Sequence, residues 1–231
     1  MLTAILLAAV VAAPTETPRT IQVSGTAEVT VAPDICYISF GVTAEHKSSA
    51  ALAYRDNTAV MAAVVAAIRA LDIPDNDIKT ANLTISPSYR WDDKDRRPQF
   101  EGYEVNNTLA VSLRDITRVS NVLDAAVAAG ATTVSNVRFT VENPKQYLTE
   151  ARVEAVRAAK AKAGAMAEAA GARLGAVRTI LEHEVGGYGR LYAQSNVAAE
   201  RGLVESVGAG DAVSPGDVRL SQSVTATFEL H

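Results

Sequence analysis

The sequence predicts an α+β fold: mostly antiparallel sheets packed against two long helices and one shorter helix, in the order β-β-α-β-β-α-β-α-β-β. Three observations carry that expectation. Several segments alternate apolar with polar residues at the period of two that a half-buried strand shows. Three others carry apolar or alanine-rich stripes at helical spacing. Two pairs of alternating segments follow one another with no helix between them, as antiparallel neighbours do.

Residues 21–24 and 28–31 alternate on either side of Gly25, which reads as strand, bend, strand. Pro33-Asp34 makes a turn into a strand over 36–45. Ser48-Ser49 supplies the N-cap of a helix over 50–71, on which Leu52, Val60, Val64, Ile68 and Leu71 form one stripe facing a sheet. Pro74 ends that helix, because the residue before a proline is steered away from helical geometry. A strand over 78–89 alternates through Leu83 and Ile85. Residues 90–102 read as a polar loop with Pro98, leading to a strand over 103–113 and making the pair a long antiparallel hairpin.

Asp115 caps a shorter helix over 116–129 that Gly130 terminates, and a strand over 134–142 follows. Asn143-Pro144 joins an N-cap to a proline at the first helical position, and the helix it starts runs to about Ala170, before Gly171. Alanine dominates this helix, with Val153, Val156 and Met166 as its few larger apolar residues. It is therefore expected to lie tight on a sheet or another helix. Strands over 177–185 and 218–230 complete the order, the last with Val224, Ala226, Phe228 and Leu230 on one face. Segments 37–86 and 136–183 both read strand, long helix, strand, a weak structural duplication without a sequence repeat.

Composition then removes function classes. The 231 residues carry 22 Lys+Arg against 26 Asp+Glu, a formal charge of -4, and a protein held on phosphates shows a basic surplus. Nucleic acid is not an expected partner. Apolar residues at 48% and charged ones at 21% suffice for a buried core and exclude a disordered chain. The single cysteine, Cys36, excludes an intrachain disulfide and any all-cysteine metal site, and its strand-forming neighbours make it a small core residue. His46, His183 and His231 lack a second His or Cys at ligand spacing, so no metal and no cofactor are expected. The sequence has no Gly-x-Ser-x-Gly elbow, no Walker loop and no His-Glu-x-x-His. Asp92-Asp93-Lys94-Asp95 lacks the glycine and the glutamate of a calcium loop. A hydrolase would need Asn57, Asp77, Tyr103 and Arg114 to meet in space, and turn and cap chemistry accounts for such residues. No catalytic residue emerges, and the chain is not expected to be an enzyme.

Residues 1–13 form an uncharged apolar run, too short to span a bilayer and of the length of a signal-peptide core, with Val11-Ala12-Ala13 as small residues for cleavage. Residues 1–19 are therefore expected to be signal peptide and linker, ahead of one domain over 20–231 and an export to the periplasm. Residues 186–216 hold seven of the 14 glycines, so a flexible loop is expected there.

Aromatics are only 5% of the chain, yet Tyr89, Trp91, Phe100 and Tyr103 gather around the hairpin beside Arg90, Arg96 and Arg97. Aromatics with arginine are the composition of an interface anchor, and Tyr89, Trp91, Arg96, Arg97, Phe100 and Tyr103 are the candidate interaction residues. A hydrophobic flap folded back on its own sheet explains the same composition. Stacking on single-stranded nucleic acid is disfavoured by the interleaved aspartates.

Motifs spread over residues 20–230 resemble the SIMPL-domain family, the group of periplasmic immunogenic and oxidative-stress-defence proteins. They are the run from Ile21-Gln22-Val23-Ser24-Gly25 to Glu28-Val29, Pro33-Asp34, Gly41-Val42, Asn57, Asp77-Ile78-Lys79-Thr80, Gly102-Tyr103 with Val105 and Asn107, and Arg114-Asp115. The second half adds Gly130-Ala131, Phe139, Ala151-Arg152, Ala155, Lys160-Ala161-Lys162-Ala163, Gly171, Leu174-Gly175 and Pro215-Gly216-Asp217. The resemblance implies a bacterial periplasmic or cell-envelope protein without enzymatic activity, associated with the outer membrane or its proteins. It also implies self-association as a ring- or channel-like homo-oligomer and an indirect role in oxidative or envelope stress. The other reading that the residues leave open is a monomeric or dimeric binding module for a small ligand or an envelope partner.

Overall fold

Ser49 begins the first helix as its neighbours in sequence suggest. Its backbone is extended, and its side-chain oxygen accepts from the Leu52 amide at 3.3 Å, closing the open end of α1 (Ala50–Arg69). The computed structural model describes residues 18–183, 192–193 and 215–231. The expected signal segment, apart from residues 18 and 19, and most of the expected loop over 186–216 lie outside the described residues. In chain order the elements are β1 (Thr20–Val31), β2 (Ile35–His46), α1, β3 (Ile78–Asp92), β4 (Arg97–Leu113), α2 (Val119–Ala128), β5 (Thr133–Thr140), α3 (Lys145–Ala169), β6 (Leu174–His183), a two-residue β7 (Tyr192–Ala193) and β8 (Val218–Leu230). The α+β class and the element order are those expected, with β7 added. The strands form two sheets, β3-β4-β2-β5 and β1-β8-β6, with β7 also paired to β8.

The chain divides into two units. One comprises Glu28–Leu148 with the described part of Tyr188–Leu220. In it α1 and α2 cover one face of the β3-β4-β2-β5 sheet. Phe40, Ile38, Val42, Leu109 and Val111 from the strands meet Met61, Val64 and Ile68 from α1 and Val122 and Ala126 from α2. Each of these side chains larger than alanine contributes roughly 1.5–3 kcal/mol by leaving water. The helix stripe differs from the expected one: Ala53, Asn57, Met61, Val64 and Ile68 are the buried positions. Leu52, Val60 and Leu71 sit at its margin because the buried positions step by three and four from Ala53. Asp115 caps as expected, its carboxylate accepting from the Thr117 amide at 3.2 Å, but the chain makes a 3-10 turn over Ile116–Arg118 before α2 begins. A smaller cluster of Val141, Val218 and Leu220 lies in the same unit, with Val31, Tyr147 and Leu148 against it.

The other unit takes β1 as far as Ala27, α3 from Thr149, β6, and β8 from Ser221. Its core is Val23, Val224, Ala226 and Phe228 from the sheet and Ala155, Ala159 and Ala163 from the helix. The buried face of α3 is alanine at every fourth position, Ala151, Ala155, Ala159, Ala163 and Ala167, whereas Val153 and Met166 point to solvent. Methyl groups alone let the helix axis come close to the strand. A Cβ at Gly25 would stand 2.2 Å from the Ala155 carbonyl oxygen and 2.5 Å from the Ala159 nitrogen. Gly25 is therefore no bend. It sits inside one continuous strand and marks the point where α3 touches the backbone of β1.

Candidate functional site

The largest departure from the sequence reading is the hairpin. Residues 90–102 are not a loop: β3 continues to Asp92, β4 begins at Arg97, and only four residues turn between them. The Asp92 carboxylate closes that turn by accepting from the Lys94 and Asp95 amides at 2.9 and 3.3 Å. Arg96 takes φ 49 within it. Because the loop residues alternate in a strand, they pair: Tyr89 with Phe100, Arg90 with Gln99, Trp91 with Pro98, Asp92 with Arg97. β2 accompanies β4 only as far as the His46–Tyr103 pair, so the outer part of the hairpin is a two-stranded ribbon.

Phe100 and Tyr103 are three residues apart, a spacing that in a regular strand sends side chains to opposite faces. Here they touch, edge to face, with ring centroids 5.3 Å apart, and Tyr89 meets Phe100 in the same way at 5.8 Å. The reason is a β-bulge: Ser88 pairs with Gly102 and Tyr89 with Phe100, which leaves Glu101 as an extra residue on β4. The bulge resets the alternation so that Tyr89, Trp91, Pro98, Phe100 and Tyr103 share one face. Gly102 permits it, since a Cβ there would stand 2.8 Å from the His46 carbonyl oxygen. Tyr89, Trp91 and Phe100 are exposed, while Tyr103 is half-buried. The aromatics are thus not folded back under the sheet, and T-shaped pairs hold the rings in a fixed array.

Of the arginines beside the hairpin, the candidate Arg97 and its neighbour Arg90 face carboxylates and the candidate Arg96 lies in the turn. Arg97 pairs with Asp95 at 3.0 Å, and Arg90 lies 3.7 Å from Glu101. The cation-π contact among the described residues is elsewhere, Arg138 over Tyr37. At the root of the ribbon a recess of about 260 Å³ opens among Glu45, His46, Lys47, Ser88, Glu101 and Tyr103. His46 Nδ1 accepts from the Ser48 and Ser49 amides at 3.3 and 3.1 Å, which places the proton of a neutral ring on Nε2.

The polar residues that a hydrolase would need are dispersed. Asp77 and Arg114 do meet, in a network where Arg114 also takes Glu142 in two bonds from its Nε at 3.0 and 3.1 Å. These bonds raise the Arg114 pKa and hold the Glu142 carboxyl below its ordinary value. Asn57 is far from them, buried on α1, where its Nδ2 donates to the Val42 and Val105 carbonyls at 2.7 and 3.1 Å. Nine residues of strand separate Val105 from Arg114, about 30 Å at roughly 3.3 Å per residue, and Tyr103 lies beyond Val105. The turn-and-cap account of Asn57 is therefore corrected: it is a helix-interior residue that bonds two strand carbonyls. Among the described residues no group of three His, Cys, Asp or Glu is placed to hold a metal.

Leu83, Ile85, Pro87 and Pro98 escaped the sequence reading of the site. Their signal is an alternation that continues from Leu83 through Trp91, past the end of the strand expected over 78–89.

Fold and surface together define an α+β protein whose most conspicuous feature is an exposed apolar ribbon. The SIMPL family, described as a protein of unknown function (DUF541), matches residues 21–228. The chain is 34% identical over 171 residues to the 26 kDa periplasmic immunogenic protein of Brucella melitensis, covering 73% of this chain and 68% of that one. It is 32% identical over 160 residues to the uncharacterized protein YggE of Edwardsiella ictaluri, covering 69% of this chain and 66% of that one. With YggE of Escherichia coli it shares 31% over 163 residues, 71% and 65% of the two chains. The chain belongs to the SIMPL family.

Proposed function

We propose that the protein is a non-enzymatic component of the bacterial periplasm that assembles with itself, as a ring- or channel-like homo-oligomer, and acts in oxidative or envelope stress only indirectly. The observation that carries this reading is the aromatic ribbon, left exposed by a chain that has few aromatics to spend. Two further points support it. The Brucella relatives carry the word periplasmic in their names. Cys36 is fully buried, which suits a structural thiol and not a peroxide scavenger. Its partners in this reading are further copies of itself and, at the membrane, outer-membrane or other envelope proteins.

Light scattering on the purified chain tests the reading. A multi-chain mass at micromolar concentration is expected, and Trp91→Ala with Phe100→Ala should lower it. A mass of one chain would sink self-assembly, and an unchanged mass in the variant would remove the hairpin from it.

The recess at the ribbon root favours a second reading, a monomeric or dimeric module that holds a small ligand. At about 260 Å³ it lies just below the size of common ligand sites. A ligand that raises the melting temperature of a one-chain particle would favour this reading over assembly.

A further inference from the structure

The apolar face of the hairpin is longer than its aromatic cluster. Leu83, Ile85, Pro87, Tyr89 and Trp91 follow one another at steps of two, with no extra residue between them on β3, so all five side chains leave the same face. Leu83 is 44% exposed, Ile85 48%, Tyr89 58% and Trp91 60%, and Phe100 beside them is 46% exposed. The stripe runs about 26 Å at roughly 3.3 Å per residue. It leaves on the order of 500 Å² of apolar surface in water, near the top of what a monomer exposes in one patch.

We infer that this face packs on the same face of a second copy about a two-fold axis, ribbon against ribbon, with Pro87 of one copy opposite Pro87 of the other. The inference rests on the self-assembly reading and gives it a contact. Two arguments select a second copy as the occupant. One is area: two such faces together remove about 1,000 Å², the size at which a specific interface becomes sustainable. The other is charge. Residues 78–113 carry five Lys or Arg and five Asp or Glu, a net charge of zero within a chain of net -4. Two hairpins therefore approach without the repulsion that two acidic chains otherwise feel, and a strongly charged partner finds no field to recognise. A face that is neutral, apolar and rimmed by both signs of charge is suited to an isologous contact, in which one patch must complement itself.

The test uses the full chain with Pro87→Cys or, on the opposite face, Gln99→Cys, and a short bismaleimide that spans about 10 Å, the spacing of packed sheets. Cys36 is buried and does not compete. Trp91, the only tryptophan, reports on the face directly through its emission. Pro87→Cys is expected to give a cross-linked pair of chains and Gln99→Cys none. Emission of the unmodified chain should shift to the blue as concentration rises, and Leu83→Ser with Ile85→Ser should move the midpoint of that shift at least tenfold upward. A multi-chain mass with no Pro87→Cys cross-link and no emission shift overturns the contact and leaves self-assembly standing. Equal cross-linking at both positions also overturns it. A one-chain mass at every concentration overturns both. Should the cysteine variant misfold, the emission of the unmodified chain decides alone.

Discussion

Cys36 sits in β2 under α1 and α2 with no exposure, and burial pushes its thiol up to about 11, a backbone hydrogen bond with Arg138 opposing part of the rise. A raised value means that the neutral thiol suits the fold. Its contribution is complete below the ordinary thiol range and is lost as pH rises through about 11. The folded chain should therefore resist thiol reagents at pH 8 and react only as it unfolds. Labelling at the rate of a free thiol under native conditions would contradict the buried placement. This residue was legible in the sequence because strand formers flank it on both sides. Asn57 was not, although the family resemblance singles it out. Its partners, the Val42 and Val105 carbonyls, lie 15 and 48 residues away, so nothing local separates it from a surface asparagine. It is the one polar member of the buried stripe of α1, and there its amide ties the helix to two neighbouring strands.

At the scale of elements, the contact of α3 with β1 rests on the absence of side chain. Gly25→Ala would drive a methyl into the backbone of α3, which cannot yield as a flexible side chain can. The expected cost is roughly 1–3 kcal/mol, read as a lower urea midpoint. A midpoint within error of the parent would show that helix and strand separate more easily than the geometry requires. The tight packing of α3 was legible from its alanines. Which of its residues face inward was not, since Val153 and Met166 outrank alanine in hydrophobicity and yet lie outside, where there is room for them. The Arg114 network joins the end of β4 to the turn before β3 and to Glu142 beyond β5. Hydrogen bonds from Arg114 hold the Glu142 carboxyl low, with partial desolvation opposing and the guanidinium charge adding. A lowered value contributes stability above the unfolded value of about 4.3, and that contribution is lost as pH falls through the folded one. Glu142→Gln should therefore narrow the gap in denaturant midpoint between pH 6 and pH 3. An unchanged gap would mean that the pair, about half exposed, adds nothing to acid stability.

For the molecule as a whole, the order of strands and helices was readable because each element carries its own period, and the final strand matches its expected limits at both ends. Membership of the sheets was not readable. Alternation tells which face of a strand is buried but not its neighbour, and here β1 pairs with β8 while β5 and β6, joined by one helix, belong to different sheets. The hairpin was underestimated for a related reason: proline and charged residues suggested a loop, whereas pairing across the ribbon supplied the hydrogen bonds that local propensity did not promise. Glu101 adds a consequence of its own. Were the same sequence paired without the bulge, Phe100 and Pro98 would emerge on the side away from Tyr103, so the reach of the apolar face is governed by backbone pairing and not by composition. A chain one residue shorter at this point would reach the same face with a regular strand, Phe100 and Tyr103 then standing two apart, so the bulge is how the longer strand keeps its rings on one side.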